Sequence, residues 1–533
     1  MPNVRIHASL HRIAVVLAAT ALVAACSTLP PGVDYPRTES RALEHPETTA
    51  LGQVIEPRSR EHQGLSGFRL VARGRDGFAL RAEMIEAAQK TVDAQYFIFQ
   101  SDVSGLLIQD TLLRAAKRGV RVRVLIDDTQ AENQSDHILM LAGHPNIDVR
   151  LYNPFFYRGS NEFVRAAEFL LNKSRLDYRM HNKLLIVDNE IGLAGGRNVG
   201  DEYFETGTQI QFGDYDVFAM GPIVRALSMS FDEYWNSSLS IPSEALLGKP
   251  PTGAELDALE RKLSVNREKQ AGSELMQRAD RGAPFDHLLQ SDRNIVWANA
   301  EVIYDGPDKA DGDNAEHNEA SLRRRLIGIA RESHEEVAIV SPYFIPGDSG
   351  MRLLHDLRER SVRVRVLTNS LASTDQPMVH AAYRRYREPL LAEGVELYEA
   401  RPVPGAPRES GGMLKAPSAG QFALHAKVYV FDRRRIFIGS ANFDRRSSRL
   451  NTELGLLIDS PELAKQVIER FDTIAQPANS FVLALAKDGL LAHVVWRSEE
   501  NGRAVEYAAE PVDDALRGLK VDLLSFLPID TEL

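Results

Sequence analysis

The chain of 533 residues predicts an α/β protein of two homologous halves, each a mixed β-sheet flanked by helices, packed to form one shared active site. Three observations lead there. One short pattern of His, Lys, Asp, Gly and Asn occurs twice with the same internal offsets, 244 residues apart. Its surroundings repeat as well: Val92-Asp-Ala-Gln-Tyr-Phe-Ile-Phe99 is matched by Val337-Ala-Ile-Val-Ser-Pro-Tyr-Phe-Ile345, and Val120-Arg-Val-Arg-Val-Leu-Ile126 by Val362-Arg-Val-Arg-Val-Leu367. Between these strand-type runs lie helical stretches, Leu106 to Arg118 and Met351 to Arg360, so each half reads strand, helix, strand and then a hairpin.

The repeated pattern is His181-Asn-Lys183-Leu-Leu-Ile-Val-Asp188 followed by Gly195-Gly-Arg-Asn198, and His425-Ala-Lys427-Val-Tyr-Val-Phe-Asp432 followed by Gly439-Ser-Ala-Asn442. In each copy a short apolar strand carries His and Lys two apart, on one face, and a polar turn leads into a returning strand. Asp188 and Asp432 fall at the turn, away from that face, and read as structural hydrogen-bonders. Gly195 and Gly439 close the returning strands, and each Asn is expected beside its own His. These residue types suit a phosphodiester. A neutral imidazole attacks phosphorus while a second, protonated one donates to the departing oxygen. Two lysines and two asparagines then supply fixed donors to the non-bridging oxygens. One half provides one imidazole, one ammonium and one amide, so a complete site needs both.

These paired motifs resemble those of the phospholipase D superfamily, from about Gly67 to the C-terminus. The resemblance implies that His181 is the nucleophile, forming a phosphohistidine, and that His425 is the general acid and then the base. It also implies a carboxylate downstream of each motif that holds the histidine through its other ring nitrogen and raises its pKa. Asp216, in Asp214-Tyr-Asp-Val, and Glu453, in Asn451-Thr-Glu-Leu, are the candidates, against the plainer reading of solvated carboxylates at strand ends. Gly196 departs from the pattern, standing where the second copy has Ser440, and removes one hydroxyl from the first half. With Gly195-Gly-Arg-Asn198, the segment Tyr304-Asp-Gly-Pro-Asp-Lys309 and a Leu-Pro-Ile ending, the layout is similar to bacterial cardiolipin synthases of the lipoprotein-like, non-membrane-spanning subgroup. That implies transfer of a phosphatidyl group from one phospholipid (phosphatidylglycerol or phosphatidylethanolamine) to phosphatidylglycerol. Water as acceptor would make the protein a phospholipase D releasing phosphatidic acid, and a nuclease-type phosphodiesterase would use the same residues.

Arg5 and Arg12 precede an apolar run from Ile13 to Ala25 that is too short for an ordinary span and ends at Leu22-Val-Ala-Ala-Cys26. This resembles a lipoprotein signal, with Cys26, the single cysteine, as the lipidated residue and Ser27 favouring the outer membrane. The expectation is an exported, lipid-anchored protein with its catalytic domain in the periplasm. The formal net charge is −11, and −13 once residues 1–25 take away Arg5 and Arg12. Nucleic-acid enzymes carry a basic field, so DNA and RNA are disfavoured and a phospholipid at a membrane surface is favoured. Neither the motifs nor the lone cysteine calls for a metal or a cofactor, and the sequence is silent on an accessory protein.

The expected organisation is a signal peptide at 1–25, a flexible tether at 26–65, the first half at 66–249, a helical connector at 250–290, the second half at 291–475 and a C-terminal extension at 476–533. Tyr152-Asn-Pro-Phe-Phe-Tyr157 is an aromatic cluster, read first as core packing and second as a loop that dips into a membrane interface. Phe163 to Leu171 reads as an amphipathic helix covering the sheet. The arginines alternating through Val120–Ile126 and Val362–Leu367 read as a solvated strand face or sheet-end packing.

Overall fold

A computed structural model describes residues 30–129, 136–159, 161–207, 209–279, 295–310, 321–402, 421–488, 491–512, 518 and 521. The apolar run to Ala25, Cys26 and the Leu-Pro-Ile ending lie outside them. The first half runs β1 (Ser66–Val71), a helix (Gly74–Ala87), β2 (Thr91–Tyr96), a helix (Val103–Lys117), β3 (Arg121–Asp127) and β4 (Ile147–Tyr152). The motif hairpin follows as β5 (Leu184–Val187) and β6 (Ile191–Gly195), then β7 (Ile210–Gly213), β8 (Asp216–Met220), a helix (Ile223–Asn236) and β9 (Ser240–Pro242).

The second half repeats this order. It runs β10 (Val296–Tyr304), a helix (Leu322–Arg331), β11 (Glu336–Val340), a helix (Gly347–Glu359), β12 (Arg363–Asn369) and β13 (Glu396–Ala400). Next come β14 (Gln421–Leu424), the hairpin β15 (Val428–Phe431) and β16 (Arg435–Gly439), β17 (Leu454–Asp459) and a helix (Pro461–Ile474). The expected extension adds β18 (Ser480–Asp488), β19 (Leu491–Glu500) and β20 (Arg503–Tyr507) to the outer edge, through β13.

The strands form one 18-stranded sheet with a two-fold internal order. In the first half β2, β3 and β4 are parallel, and β5, β6, β8 and β1 continue from β2 antiparallel. In the second, β11, β12 and β13 are parallel, with β15, β16, β17 and β10 antiparallel beyond β11. The halves join where β1 pairs with β10, Ser66 opposite Ala298 and Phe68 opposite Val296. Beneath the join, one apolar cluster draws Leu184, Ile186, Val217 and Phe231 from the first half and Leu424, Val428, Leu456 and Val467 from the second. Packing of this kind makes the halves one folding unit.

The motif aspartates set the far end of each hairpin. Asp188 and Asn189 take φ values of 50° and 53°, and Asp432 and Arg433 take 50° and 52°, so both turns run through the left-handed region that Asp and Asn tolerate. The Asp188 carboxylate accepts from the backbone N–H groups of Gln89, Lys90 and Thr91, at 2.8–2.9 Å. Asp432 does the same for His334, Glu335 and Glu336. Each hairpin is thereby pinned to the strand beside it.

Three expectations are corrected. Within the flexible tether expected at 26–65, Ala50–Glu61 is instead a helix, capped by Thr49 accepting from the Gly52 N–H, that buries Leu51 and Ile55. Upstream of it, Arg37 donates to the carbonyls of Ser237 and Ser240. The apolar spacing of that helix lies among charged residues, which hid it. The alternating arginines are solvated only in part: Arg363 is exposed, but Arg123 is buried and pairs with Asp93 and Asp232 under the Phe231 ring, and Arg365 is buried and pairs with Glu336 and Asp472 under Phe471. Finally, the helix Glu162–Leu171 buries no residue and does not cover the sheet. The connector packs on the first half, with a capping box at Thr252 and Glu255 and with Leu259 and Leu263 buried in the helix Gly253–Gln270.

The two aspartate clamps differ in exposure, since Asp188 is fully buried and Asp432 is not. Asp188→Ala is expected to cost about 3 kcal/mol of unfolding free energy and Asp432→Ala about 1 kcal/mol, because unpaired N–H groups near water are resolvated. Urea denaturation of the two variants checks the order; equal losses would contradict it.

Candidate active site

Both histidines sit at the cleft between the halves, each 6% exposed. His181 opens the first hairpin and His425 the second. Their backbones are held from across the seam: the His181 N–H donates to the Thr452 carbonyl at 2.9 Å and the His425 N–H to the Gly213 carbonyl at 2.8 Å. On the second side this contact extends into a parallel two-stranded sheet, β7 with β14, Ile210 opposite Gln421 and Gly213 opposite Leu424.

The carboxylates cross the same seam. His181 Nδ1 lies 2.9 Å from Glu453, which follows the second motif, and His425 Nδ1 lies 2.6 Å from Asp214, which follows the first. A carboxylate accepts, so each Nδ1 carries the proton and each Nε2 keeps a lone pair for the cleft. Glu453 is where the sequence reading placed it. Asp216 is not: its carboxylate is buried against Arg81 at 2.9 Å and Arg197 at 3.3 Å, and the histidine partner is Asp214. The register explains the difference. Gly195 pairs with Asp216 on β8 and Gly439 with Gly455 on β17, so two residues back from each lie Asp214 and Glu453. Spacing from the motifs is unequal in the two halves, and Asp214 and Asp216, two apart, are alike in pattern.

The Gly196 departure has a steric cause. A Cβ at 196 would stand 2.2 Å from Asp214 Oδ1. Its counterpart Ser440 donates through Oγ to Glu453, and Ser447 donates to the other Glu453 oxygen at 2.7 Å. One half therefore holds its carboxylate by close approach and the other by two hydroxyls.

Lys183 and Lys427 are buried, and each donates to the carbonyl of the histidine two residues before it. Lys427 Nζ lies 3.1 Å from His425 Nε2, and Lys183 Nζ sits 5.2 Å from the centre of the Phe97 ring. The lysines are close enough to act on each other electrostatically. Burial, then the charge of Lys427, pushes the Lys183 ammonium well below its ordinary pKa; burial, opposed by Asp214 and Glu453, brings Lys427 down to about 8. The histidines move the same way. Burial and then both lysines push His181 well below its ordinary value. Burial and Lys427, opposed by Asp214 and Asp375, bring His425 to about 4. The expected rise from a carboxylate partner is outweighed, and in the resting site both imidazoles are neutral near pH 7.

Asn198 uses its amide on neighbours. Its oxygen accepts from the Ile98 N–H at 3.1 Å, and its Nδ2 donates at 2.9 Å to the Tyr203 hydroxyl, whose ring packs edge-on 5.3 Å from His425. These contacts lead to the opposite histidine rather than its own. Asn442 donates its backbone N–H to Ser447, while its buried side-chain oxygen has no protein partner. Sequence reading missed Asp214, Ser447, Tyr203 and two further rings against the imidazoles, Phe97 at 4.9 Å from His181 and Phe212 at 4.9 Å from His425. Only Phe97 left a trace, as part of the repeated strand run Val92 to Phe99.

The family model described as "Cardiolipin synthase, PLD-like domain" matches residues 82–235 and 326–475, once in each half. The chain is 36% identical over 485 residues to cardiolipin synthase C of Escherichia coli (strain K12), covering 90% of this chain and 99% of that protein. It is 26% identical to a cardiolipin synthase of Oceanobacillus iheyensis, over 76% of this chain and 68% of the relative. In fold it is similar to phosphatidylserine synthase of Haemophilus influenzae Rd KW20, at a TM-score of 0.52 and 16% identity, over 80% of this chain and 91% of that one.

Two outcomes test the site's geometry. Gly196→Ser, which copies the second half, is expected to push Asp214 off His425 and cut turnover about 10–100-fold; full activity would refute the steric account. Lys427→Met removes a cation from His425, so the histidine's titration, followed by NMR, is expected to move up from about 4. A downward or absent shift would refute the lysine as a cause.

Proposed function

The chain belongs to the cardiolipin synthase family of phospholipase D-like proteins, and from that premise we propose that it joins two phospholipids through a phosphohistidine at His181. His181 Nε2 attacks the phosphorus of the donor lipid. The P–N bond forms as the P–O bond to the leaving alcohol breaks, and that alcohol takes a proton from His425. The hydroxyl of an incoming phosphatidylglycerol then returns a proton to His425 and attacks phosphorus, breaking the P–N bond. The product from phosphatidylglycerol as donor is cardiolipin with glycerol released; from phosphatidylethanolamine, ethanolamine is released instead.

The observation that carries this reading is the crossed pair of buried carboxylate–imidazole contacts around two buried lysines. Two ammonium groups and two carboxylates balance in charge. A bound phosphodiester adds one negative charge between the lysines, which offsets the cations that hold His425 neutral and favours its protonation. The division of roles has an electrostatic basis. Two lysines bear down on His181, suiting a neutral nucleophile, whereas Asp214 and Asp375 oppose Lys427 at His425, suiting the proton carrier. The low exposure of both imidazoles favours a lipid hydroxyl over water as acceptor. No helix among the described residues is long and apolar enough to cross a membrane. Attachment through Cys26 to the periplasmic face of the outer membrane completes the proposal.

Full-length protein incubated with phosphatidylglycerol and phosphatidylethanolamine vesicles is expected to form cardiolipin, read by mass spectrometry, and His181→Ala and His425→Ala are each expected to lose it by about a thousandfold or more. Phosphatidic acid as the sole product would make the protein a hydrolase.

A further inference from the structure

Eleven large apolar side chains are exposed among the described residues, and five of them, Phe156, Phe163, Val164, Leu170 and Leu171, fall in the segment leading into His181. Four belong to the helix Glu162–Leu171, which is inside out. Phe163 is 88% exposed, Leu170 73% and Leu171 64%. At 100° per residue these three and Val164 share one arc of about 120°. Two of the three charged side chains of the helix, Arg165 and Glu168, face the protein, and Glu162 in the first turn is exposed. Glu168 accepts from the N–H groups of Phe156 and Tyr157 at 2.6 and 2.8 Å, and Arg165 donates to the Asp128 carbonyl at 2.7 Å with its guanidinium 3.8 Å from the centre of the Phe155 ring. Asn161 caps the helix by accepting from Phe163 and Val164. The outward apolar face is therefore fixed by specific inward contacts.

Beneath the helix lies a cationic layer. Arg158, Arg165, Arg175 and Arg179 gather there against Asp127, Asp128 and Glu168. Arg175 is 6% exposed and has no protein partner for Nε or Nη2, and Arg165 has none for Nη1. Outward from the protein, guanidinium groups come first and apolar side chains second. Entering a bilayer, phosphates come first and hydrocarbon second, so the two profiles interlock. The element also adjoins the site: Arg165 is bound to Asp128, and the neighbouring Asp127 accepts from the N–H of Met180, the residue before His181.

We propose that Phe156 and the helix Glu162–Leu171 form a membrane-docking element that seats the cleft on an anionic phospholipid surface. The proposal rests on the phospholipid reading of the site, but its first test reads docking alone. In the full chain carrying Cys26→Ser, an environment-sensitive fluorophore is attached at Leu170→Cys and, as a control, at Val54→Cys. Val54 is partly exposed on the helix whose Ser59 approaches Gly221, beside the Asp188 turn at the opposite end of the hairpin. Vesicles of phosphatidylglycerol and phosphatidylcholine are expected to shift the emission of the label at 170 to the blue and leave that at 54 unchanged. No shift at 170, or equal shifts at both, overturns the proposal. In the second test, Phe163→Ser/Leu170→Ser is expected to slow turnover of vesicle lipid about tenfold or more, with unchanged melting temperature and unchanged turnover of monomeric short-chain phosphatidylglycerol. Equal rates on vesicles overturn it. Failure of the wild type on both lipid forms, with the label still shifting, would sink the proposed reaction and leave the docking element standing.

Discussion

The contacts from His181 to Glu453 and from His425 to Asp214 cross the seam between the halves, and the surrounding structure keeps these four side chains dry and in register. Neither half can orient its own imidazole. Each supplies a histidine-bearing hairpin and lends its carboxylate to the other, so separating the halves would take each imidazole from the carboxylate that orients it. A single buried charge is costly, whereas a balanced set with its hydrogen bonds satisfied is tolerated. The cluster of Lys183, Lys427, Asp214 and Glu453 is such a set, all nearly inaccessible.

The backbone makes that balance reproducible. Histidine N–H groups bind carbonyls of the opposite half, β7 and β14 run side by side across the seam, and β1 and β10 join the two sheets. At the far end of each hairpin, an aspartate clamps three N–H groups of the segment leading into the adjacent strand. A hairpin gripped at both ends holds His and Lys to one geometry, which electrostatic catalysis requires because a preorganised site need not reorient its donors as charge moves. The same grip explains the acidity of the lysines and the neutrality of the imidazoles: groups that cannot turn toward water keep the full cost of burial.

The two halves solve the carboxylate problem with different atoms. Asp214 comes so close to Gly196 that no side chain fits, while the longer Glu453 is steadied by Ser440 and Ser447. Symmetry of the backbone thus coexists with asymmetry of charge around the two rings, and the proposed division of roles rests on that asymmetry. Outside the cleft the halves diverge further, most visibly at the helix Glu162–Leu171, whose Arg165 and Glu168 are bound inward and whose large apolar residues are exposed.

Repetition made the fold readable. Hydrophobic runs at strand and helix periods recur in the same order in both halves, and the sheet follows them, with helices Val103–Lys117 and Gly347–Glu359 within a few residues of their expected spans. His181, Lys183, His425 and Lys427 were equally legible, because identical offsets in two distant places record a chemical need that periodicity alone does not impose. The choice between Asp214 and Asp216 was not legible: both alternate in the same strand pattern, and only the pairing of Gly195 with Asp216 counts back to the residue that meets the opposite histidine. The Glu162–Leu171 helix was expected from its period but its facing was not, since a pattern shows that a helix has an apolar side but not which way it faces, and the Ala50–Glu61 helix was hidden by the charged residues among its few apolar positions. Local chemistry and period are properties of the chain and were determined by sequence. Which carboxylate meets which imidazole, which ammonium loses its water and which apolar face stays outside are properties of neighbours distant in the chain, and only tertiary packing decided them.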